Sequence, residues 1–417
     1  MTKYNTFTLD NGLRMIHLPS ASQVVWCGYE IAAGSRDEQP GEEGLAHFCE
    51  HMTFKGTERR SALQVINALE SVGGELNAFT NKEDTVFYAA VTKEHFAKAV
   101  ELLTDIVFHS QYPQQEIDKE VEVICDEIES YNDSPAELIY DEFENLLFEG
   151  HPLGHNILGK AELLRTFTTA DALRFTRRHY RPDNAVFFVY GDVDFKRLCD
   201  KFTVYSLRFT DEYTIGGKKG GLASISSVNC KPSIVSKTII LDHNTHQAHV
   251  MIGTQAYRYD DPRRMTLYLL NNILGGPGMN ARLNLSLRER HGLVYTVESS
   301  MASYSDTGVW SVYFGCDHHD ITRCQRLVRR ELDRVMLRPL SASQLSAAKK
   351  QLKGQLAIAC DNREQFALDF GRSYLHHGHE RDIEALFQRI GGVTAEDIQQ
   401  VANELFPTGH LTTLVIR

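Results

Sequence analysis

Two histidines and a glutamate fall within five residues of one another, at His47, Glu50 and His51, in the run HFCEH. On an α-helix, residues three and four apart share a face, so these three side chains project together. Two imidazoles one turn apart can reach the same tetrahedral metal, and Zn²⁺ takes nitrogen donors at about 2.0–2.1 Å. A metal brings the pKa of water down to about 7, and Glu50 stands where it can accept the proton released. HxxEH reverses the order of HExxH but keeps the same-face geometry. The plain alternative is a surface helix with two histidines in an i, i+4 contact.

Two histidines do not fill a catalytic zinc site, which wants a third protein donor and one open position. The best source is EIDKEVEVICDEIESY, residues 116–131. Glu120 and Glu127 are seven apart and share a helical face, so either can reach back to the metal, and spacing alone does not choose between them. Two further clusters, CDHHD at 316–320 and HHGHE at 376–380, have no companion donors and read as surface or capping groups.

The elements that position these groups follow from pattern. Residues 4–18 read as a hairpin turning at Asn11-Gly12. VVWCGYEIAAG reads as a buried strand, GEEGLAHFCEHMTF as a helix entered through glycines, and SALQVINALESVGG as a helix stopped by Gly73 and Gly74. ELNAFTNKEDTVFYAAV is a strand hairpin, two helical runs follow it, and NAVFFVYGDVD is a late strand.

The chain has 417 residues, too many for one core, which predicts two domains. TIGGKKGGLASISSVN, residues 214–229, is Gly/Ser-rich without apolar periodicity and reads as the linker between domains at 1–213 and 230–417. After it the order of elements repeats: HQAHVMIGTQA stands for VVWCGYEIAAG and SDTGVWSVYFG for KEDTVFYAAV. The fold class expected is α+β, two homologous domains from an internal duplication, each an antiparallel sheet with flanking helices. The second copy has no acidic residue between Asp333 and Asp361 and no bracketed glutamate, so it carries no metal site.

A net charge of −11 argues against a general binder of nucleic acid or anionic membranes. No apolar run approaches the roughly 20 residues of a membrane span. The opening MTKYNTFTLDNG has neither signal-peptide nor transit character, and the eight cysteines form no CxxC pair, so the expectation is a cytoplasmic protein with reduced thiols.

HFCEH followed by MTFKGT, with a Glu-rich helix some way on, resembles the pitrilysin-group zinc metallopeptidases with the inverted HxxEH motif. The likeness is nearest to the mitochondrial processing peptidase branch and its bacterial relatives. It runs nearly end to end, through FTLDNGLRMI, GGELNAFTNKEDTVFYA, HPLGHNILG, HYRPDNAVFFVYGDVD, HQAHVMIG and GMNARLNLSLRERHGLVYTV. The resemblance implies a zinc endopeptidase of peptides or unfolded segments in a closed chamber, with one Zn²⁺ per chain held by His47, His51 and Glu127. It makes Glu50 the general base and Glu120 a supporting carboxylate. Asn77 and Ala78 are implied to pair with substrate backbone, as an edge strand would. Arg288 and Tyr295 are implied to hold substrate and polarise its carbonyl, with Arg282 a neighbouring candidate. Half-length chains of this kind pair, so a homodimer is expected. Two rivals are a catalytically silent, partner-dependent subunit and a metal hydrolase of small molecules. The complete motif set argues against the first, and an edge strand, useless to a small ligand, against the second.

Overall fold

The computed structural model describes residues 4–203 and 236–417. The expected linker, residues 214–229, and the boundaries at 213 and 230 lie outside the described residues. Two compact units are defined by contacts. The first comprises the described residues of Met1–Glu129, His155–Ser226 and Ala359–Asp382; the second comprises those of Ser130–Gly154, Ser227–Ile358 and Ile383–Arg417.

The first unit is built on six strands: β1 (Asn5–Thr8), β2 (Arg14–Pro19), β3 (Val24–Ile31), β4 (Glu75–Thr80), β5 (Thr85–Thr92) and β6 (Ala185–Gly191). They lie in the order β1-β2-β6-β3-β5-β4. Period-two alternation divides their side chains. Val25, Cys27, Tyr29 and Ile31 of β3, with Phe187 and Val189 of β6, enter one core. Helix α3 (Phe96–His109) packs on that face, and the Tyr29 hydroxyl lies 2.9 Å from Thr104 Oγ1. On the other face Phe188 and Tyr190 meet Phe366 and Phe370 of the helix Arg363–His377. The remaining helices used below are α1 (Leu45–Thr53), α2 (Ala62–Glu70), α4 (Gln114–Asn132) and α5 (Pro135–Leu147).

The second unit repeats this plan with β7 (Thr238–Leu241), β8 (Ala248–Ala256), β9 (Val294–Ser303), β10 (Gly308–Cys316) and β11 (Thr412–Ile416). Their order is β7-β11-β8-β10-β9, which matches the first sheet strand for strand without β1. Val250, Ile252, Trp310, Val312 and Phe314 enter one core, and Leu138, Ile139 and Phe143 of α5 cover the opposite face. The sheets are two topologically equivalent halves, as a duplication requires. Each is antiparallel except for one pair: β2 with β6 and β7 with β11 run parallel. A parallel pair needs a long crossover, and here each crossover contains most of its unit.

Helix α1 starts at Gly44, whose φ of +95° lies in the left-handed region. A Cβ there would meet Leu158 O and Gly159 Cα at 2.8 Å each, so no larger residue fits without movement. Left-handed backbone costs a residue with a Cβ about 1–2 kcal/mol before any clash is counted. Gly44→Ala is expected to lower the melting temperature by about 4–8 °C, the shift that about 2 kcal/mol produces in a unit of this size. An unchanged thermal scan would show that the entry to α1 tolerates a side chain.

Candidate metal centre

Helix α1 is buried almost all round. Leu45, Ala46, Phe48, Cys49 and Met52 are wholly enclosed, packed by β4 and the helix Thr169–His179. His47, Glu50 and His51 occupy the side that faces α4. His47 and Glu50 are only 7% and 8% exposed, so their polar atoms need partners inside the protein, and His47 Nδ1 has no hydrogen-bond partner among the described residues. The two imidazole rings touch edge to face with centroids 4.6 Å apart.

Helix α4 brings both candidate glutamates to these rings, and depth separates them. Glu127 Oε2 lies 3.9 Å from His47 Nε2 and 3.4 Å from His51 Nε2. Glu120 instead reaches the far side of the second ring: its Oε1 is 3.0 Å from His51 Nδ1, and its Oε2 accepts from Lys55 Nζ at 2.5 Å. One donor atom from each of His47, His51 and Glu127 lies within 4.8 Å of the other two. Glu50 sits beside them, and its Oε2 accepts a 2.6 Å hydrogen bond from Thr80 Oγ1 at the end of β4.

The electrostatics suit a cation. Burial, with His51 beside it, lowers the His47 pKa, so this imidazole is neutral. The hydrogen bond from His51 holds the Glu127 carboxyl below its usual range. Burial works to lower the pKa of His51, but Glu120 and Glu127 outweigh it and push it up to about 9. Burial raises that of Glu50 against the Thr80 hydrogen bond. A neutral imidazole, an ionised carboxylate and a second imidazole whose proton points at that carboxylate form a donor set that fits Zn²⁺, which takes the place of the proton. The Glu120–His51 contact has the geometry of the outer partner that would fix the tautomer of a ligating histidine.

Asn77 and Ala78 lie on β4, opposite Tyr88 and Phe87 of β5. Among the described residues no strand pairs with the outer edge of β4. In the second unit Arg288 belongs to a π-helical turn, Asn284–Glu289, and its guanidinium lies 5.5 Å from the ring centre of Tyr295, which is 81% exposed at the start of edge strand β9. Arg282 is more enclosed, and burial lowers its pKa despite nearby Glu331. Of the two arginines, Arg288 is the one paired with Tyr295.

The other histidine clusters have partners of their own, and contrary to the sequence reading His319, Asp317 and Asp320 form a second group of three possible donors. His318 Nε2 donates to Thr245 O at 2.9 Å, while exposed His319 lies beside Asp317 and Asp320 at a helix start. His376 and His377 sit on the last turn of a helix, and His376 Nε2 reaches buried Asp84 at 3.2 Å. Sequence spacing gives no sign of Thr80 or Lys55, whose contacts with the site exist only once the sheet and α4 are in place.

Two sheets of one plan, with a donor set that joins a His–Glu–His helix to an acidic helix, are what a metallopeptidase of this kind requires. Residues 15–161 match Insulinase (Peptidase family M16), and residues 166–352 match the Peptidase M16 inactive domain. Over 411 residues the chain is 30% identical to the uncharacterized zinc protease YmxG of Bacillus subtilis, covering 98% of this chain and 97% of that one. An uncharacterized zinc protease of Rickettsia bellii is 31% identical over 415 residues, 99% of this chain and 97% of the relative. The fold is shared with a protease from Helicobacter pylori, at a TM-score of 0.89 and 21% identity over 100% of this chain and 99% of that one. The chain belongs to the insulinase/pitrilysin family of peptidases, M16. Among the described residues, no helix is long and apolar enough to cross a membrane.

Loss of the Glu120 charge leaves His51 without its anchor. Glu120→Gln is expected to weaken zinc binding about 10–100-fold, the usual effect of an outer partner. Competition with a chromogenic chelator measures it, and an affinity equal to that of the parent protein rejects the orienting role.

Proposed function

We propose that the chain is a zinc-dependent endopeptidase acting on peptides or unfolded polypeptide segments. The observation that carries this reading is the convergence of His47, His51 and Glu127 within 4.8 Å, with Glu50 fixed beside them. These three residues would hold one Zn²⁺ per chain and leave a fourth position open. When bound, zinc supplies a Lewis acid that lowers the pKa of water to about 7 and polarises a carbonyl.

The chain's own groups do the rest. Thr80 fixes one carboxylate oxygen of Glu50, leaving the other to accept a proton from water and return it to the departing amine. Burial raises the proton affinity of Glu50, which suits a group that must do both. An extended substrate adds to the outer edge of β4, its backbone pairing at Asn77 and Ala78. Strand addition requires an unfolded chain, which agrees with a closed chamber that excludes folded domains. Arg288 and Tyr295 hold the substrate and stabilise the developing oxyanion. The seven cysteines among the described residues are all free, in keeping with a cytoplasmic location.

Chelation is expected to abolish cleavage of an internally quenched peptide. Glu50→Gln is expected to retain zinc and lose turnover, because it removes the base and no ligand. Loss of zinc in that variant, or turnover near the parent rate, overturns the assignment.

We further propose a homodimer in which Arg288 and Tyr295 of one copy serve the metal site of the other. Two-fold pairing is the commonest oligomer, and it supplies both parts to each site. Mixing inactive Glu50→Gln and Tyr295→Phe chains under exchange makes about half the dimers mixed, each with one working site. Recovery of roughly a quarter of parent activity is expected. No recovery, with exchange confirmed by mass spectrometry, places the tyrosine's action within its own chain.

A further inference from the structure

Helix α1 opens without a side-chain cap, since Gly44 has no side chain to offer. The first amides of a helix have no partner within it and need one from elsewhere. Glu38 supplies it from six residues upstream. Its Oε2 accepts from Gly44 N at 3.0 Å and its Oε1 from Ala46 N at 2.8 Å. A carboxylate is the favoured partner for a helix N-terminus, but this one is enclosed, its side chain only 1% exposed. Burying a carboxylate is costly unless it is paired, and burial accordingly raises the Glu38 pKa. His155 provides the pairing: its Nε2 lies 2.8 Å from Glu38 Oε2 and 3.0 Å from Ser35 O.

The same cluster is fastened to the far end of β4. The Lys82 ammonium, itself buried in the β4–β5 turn, donates to His155 O. Ser35 N donates to Asn81 O at 3.1 Å and Arg36 N to Lys82 O at 2.8 Å, so the segment before Glu38 lies flat on that turn. A Cβ on Gly34 would fall 2.1 Å from Asn81 O, which shows how close the approach is. Helix α1 is therefore tied to β4 twice: through Glu38 at its first turn, and through Glu50 and Thr80 further along.

We propose that Glu38 and His155 are positioning residues that clamp the N-terminus of α1 to the turn following edge strand β4. They set His47, Glu50 and His51 in register with an extended chain on that strand. The proposal rests on the reading of those three residues as metal and proton-transfer groups. The clamp acts through backbone amides at the residue just before His47, so its loss tilts the helix without removing any donor.

The experiment compares Glu38→Gln, His155→Leu and His155→Gln, each with zinc alone and then with an internally quenched peptide. Glu38→Gln turns one acceptor into a donor facing two N–H groups, and His155→Leu removes the imidazole partner. Both are expected to bind zinc about tenfold more weakly in chelator competition, and to lose kcat on the peptide with KM little changed, because the edge of β4 is intact. His155→Gln, which can still donate to Glu38, is expected to recover most of both. Combining Glu38→Gln with His155→Leu is expected to add little, since the two act as one unit. Should Glu38→Gln not fold, the two His155 variants decide alone. A drop in melting temperature with zinc affinity and kcat within twofold of the parent overturns the proposal, leaving Glu38 as a stabilising cap. Failure of the parent protein to bind zinc overturns the metal reading instead, and shows in the unmodified control.

Discussion

A helix enclosed on nearly every side can carry two imidazoles and a carboxylate only if nearly all their polar atoms meet partners, because an unpaired buried polar group costs about 1–3 kcal/mol and a charged one more. Helix α1 is such a helix: His47 Nδ1 is left buried without a hydrogen-bond partner among the described residues, and the partners of its other polar side chains account for much of the first unit. Helix α4 must lie alongside to bring Glu120 to His51 Nδ1 and Glu127 to the two Nε2 atoms. Strand β4 must end where Thr80 can reach Glu50. Lys55 must stand just past the helix to balance Glu120. The result gathers three carboxylates, Glu50, Glu120 and Glu127, about two imidazoles and Lys55, and a cation is what the donor geometry fits.

Each sheet buries both of its faces, so each needs two covering layers. In the first unit the second layer is the helix Arg363–His377, and in the second it is α5. By chain order each belongs to the opposite half. The chain thus enters each unit more than once, and no single cut in the sequence separates the two. The Arg363–His377 helix is fixed by specific polar contacts as well as by aromatic packing. Asp84 takes Arg372 at 2.8 Å and His376 at 3.2 Å, and Tyr88 donates to Glu364 at 2.7 Å. Through the Asp84 contact, His376 of the HHGHE cluster takes part in holding this helix.

Local periodicity made most elements readable. The hairpin at Asn11-Gly12, the buried strand at Val24–Ile31, the helix carrying HFCEH and the repeated strand order all stand where pattern puts them. The same periodicity could not separate Glu120 from Glu127, since seven residues return to one helical face; what separates them is which ring nitrogen each reaches, a tertiary fact. The parallel pairs β2–β6 and β7–β11 were unreadable for a similar reason. Alternation reports which face of a strand is buried and says nothing about its neighbour's direction. Amphipathic pattern likewise marks α5 as having an apolar face without naming the sheet it covers. Thr80 and Glu38 left no signal, because each acts across a stretch of chain that only the folded sheet closes.

The duplication also explains where the two distinctive side-chain groups sit. Strands β4 and β9 occupy the same terminal position in their sheets, next to β5 and β10. An unpaired edge exposes backbone donors and acceptors and invites pairing with another chain. In the first unit that edge carries Asn77 and Ala78 and ends at Thr80, in contact with Glu50. In the second it begins with Tyr295, beside Arg288 and free of any acidic helix. One ancestral position, an open strand edge backed by a helix, has thus been furnished differently in the two copies. The first keeps two imidazoles and a carboxylate whose donor atoms converge, with Glu50 beside them. The second keeps a cation–π pair of Arg288 and Tyr295 at an exposed surface. The asymmetry follows from side chains at equivalent places on one shared framework, and needs no difference in fold.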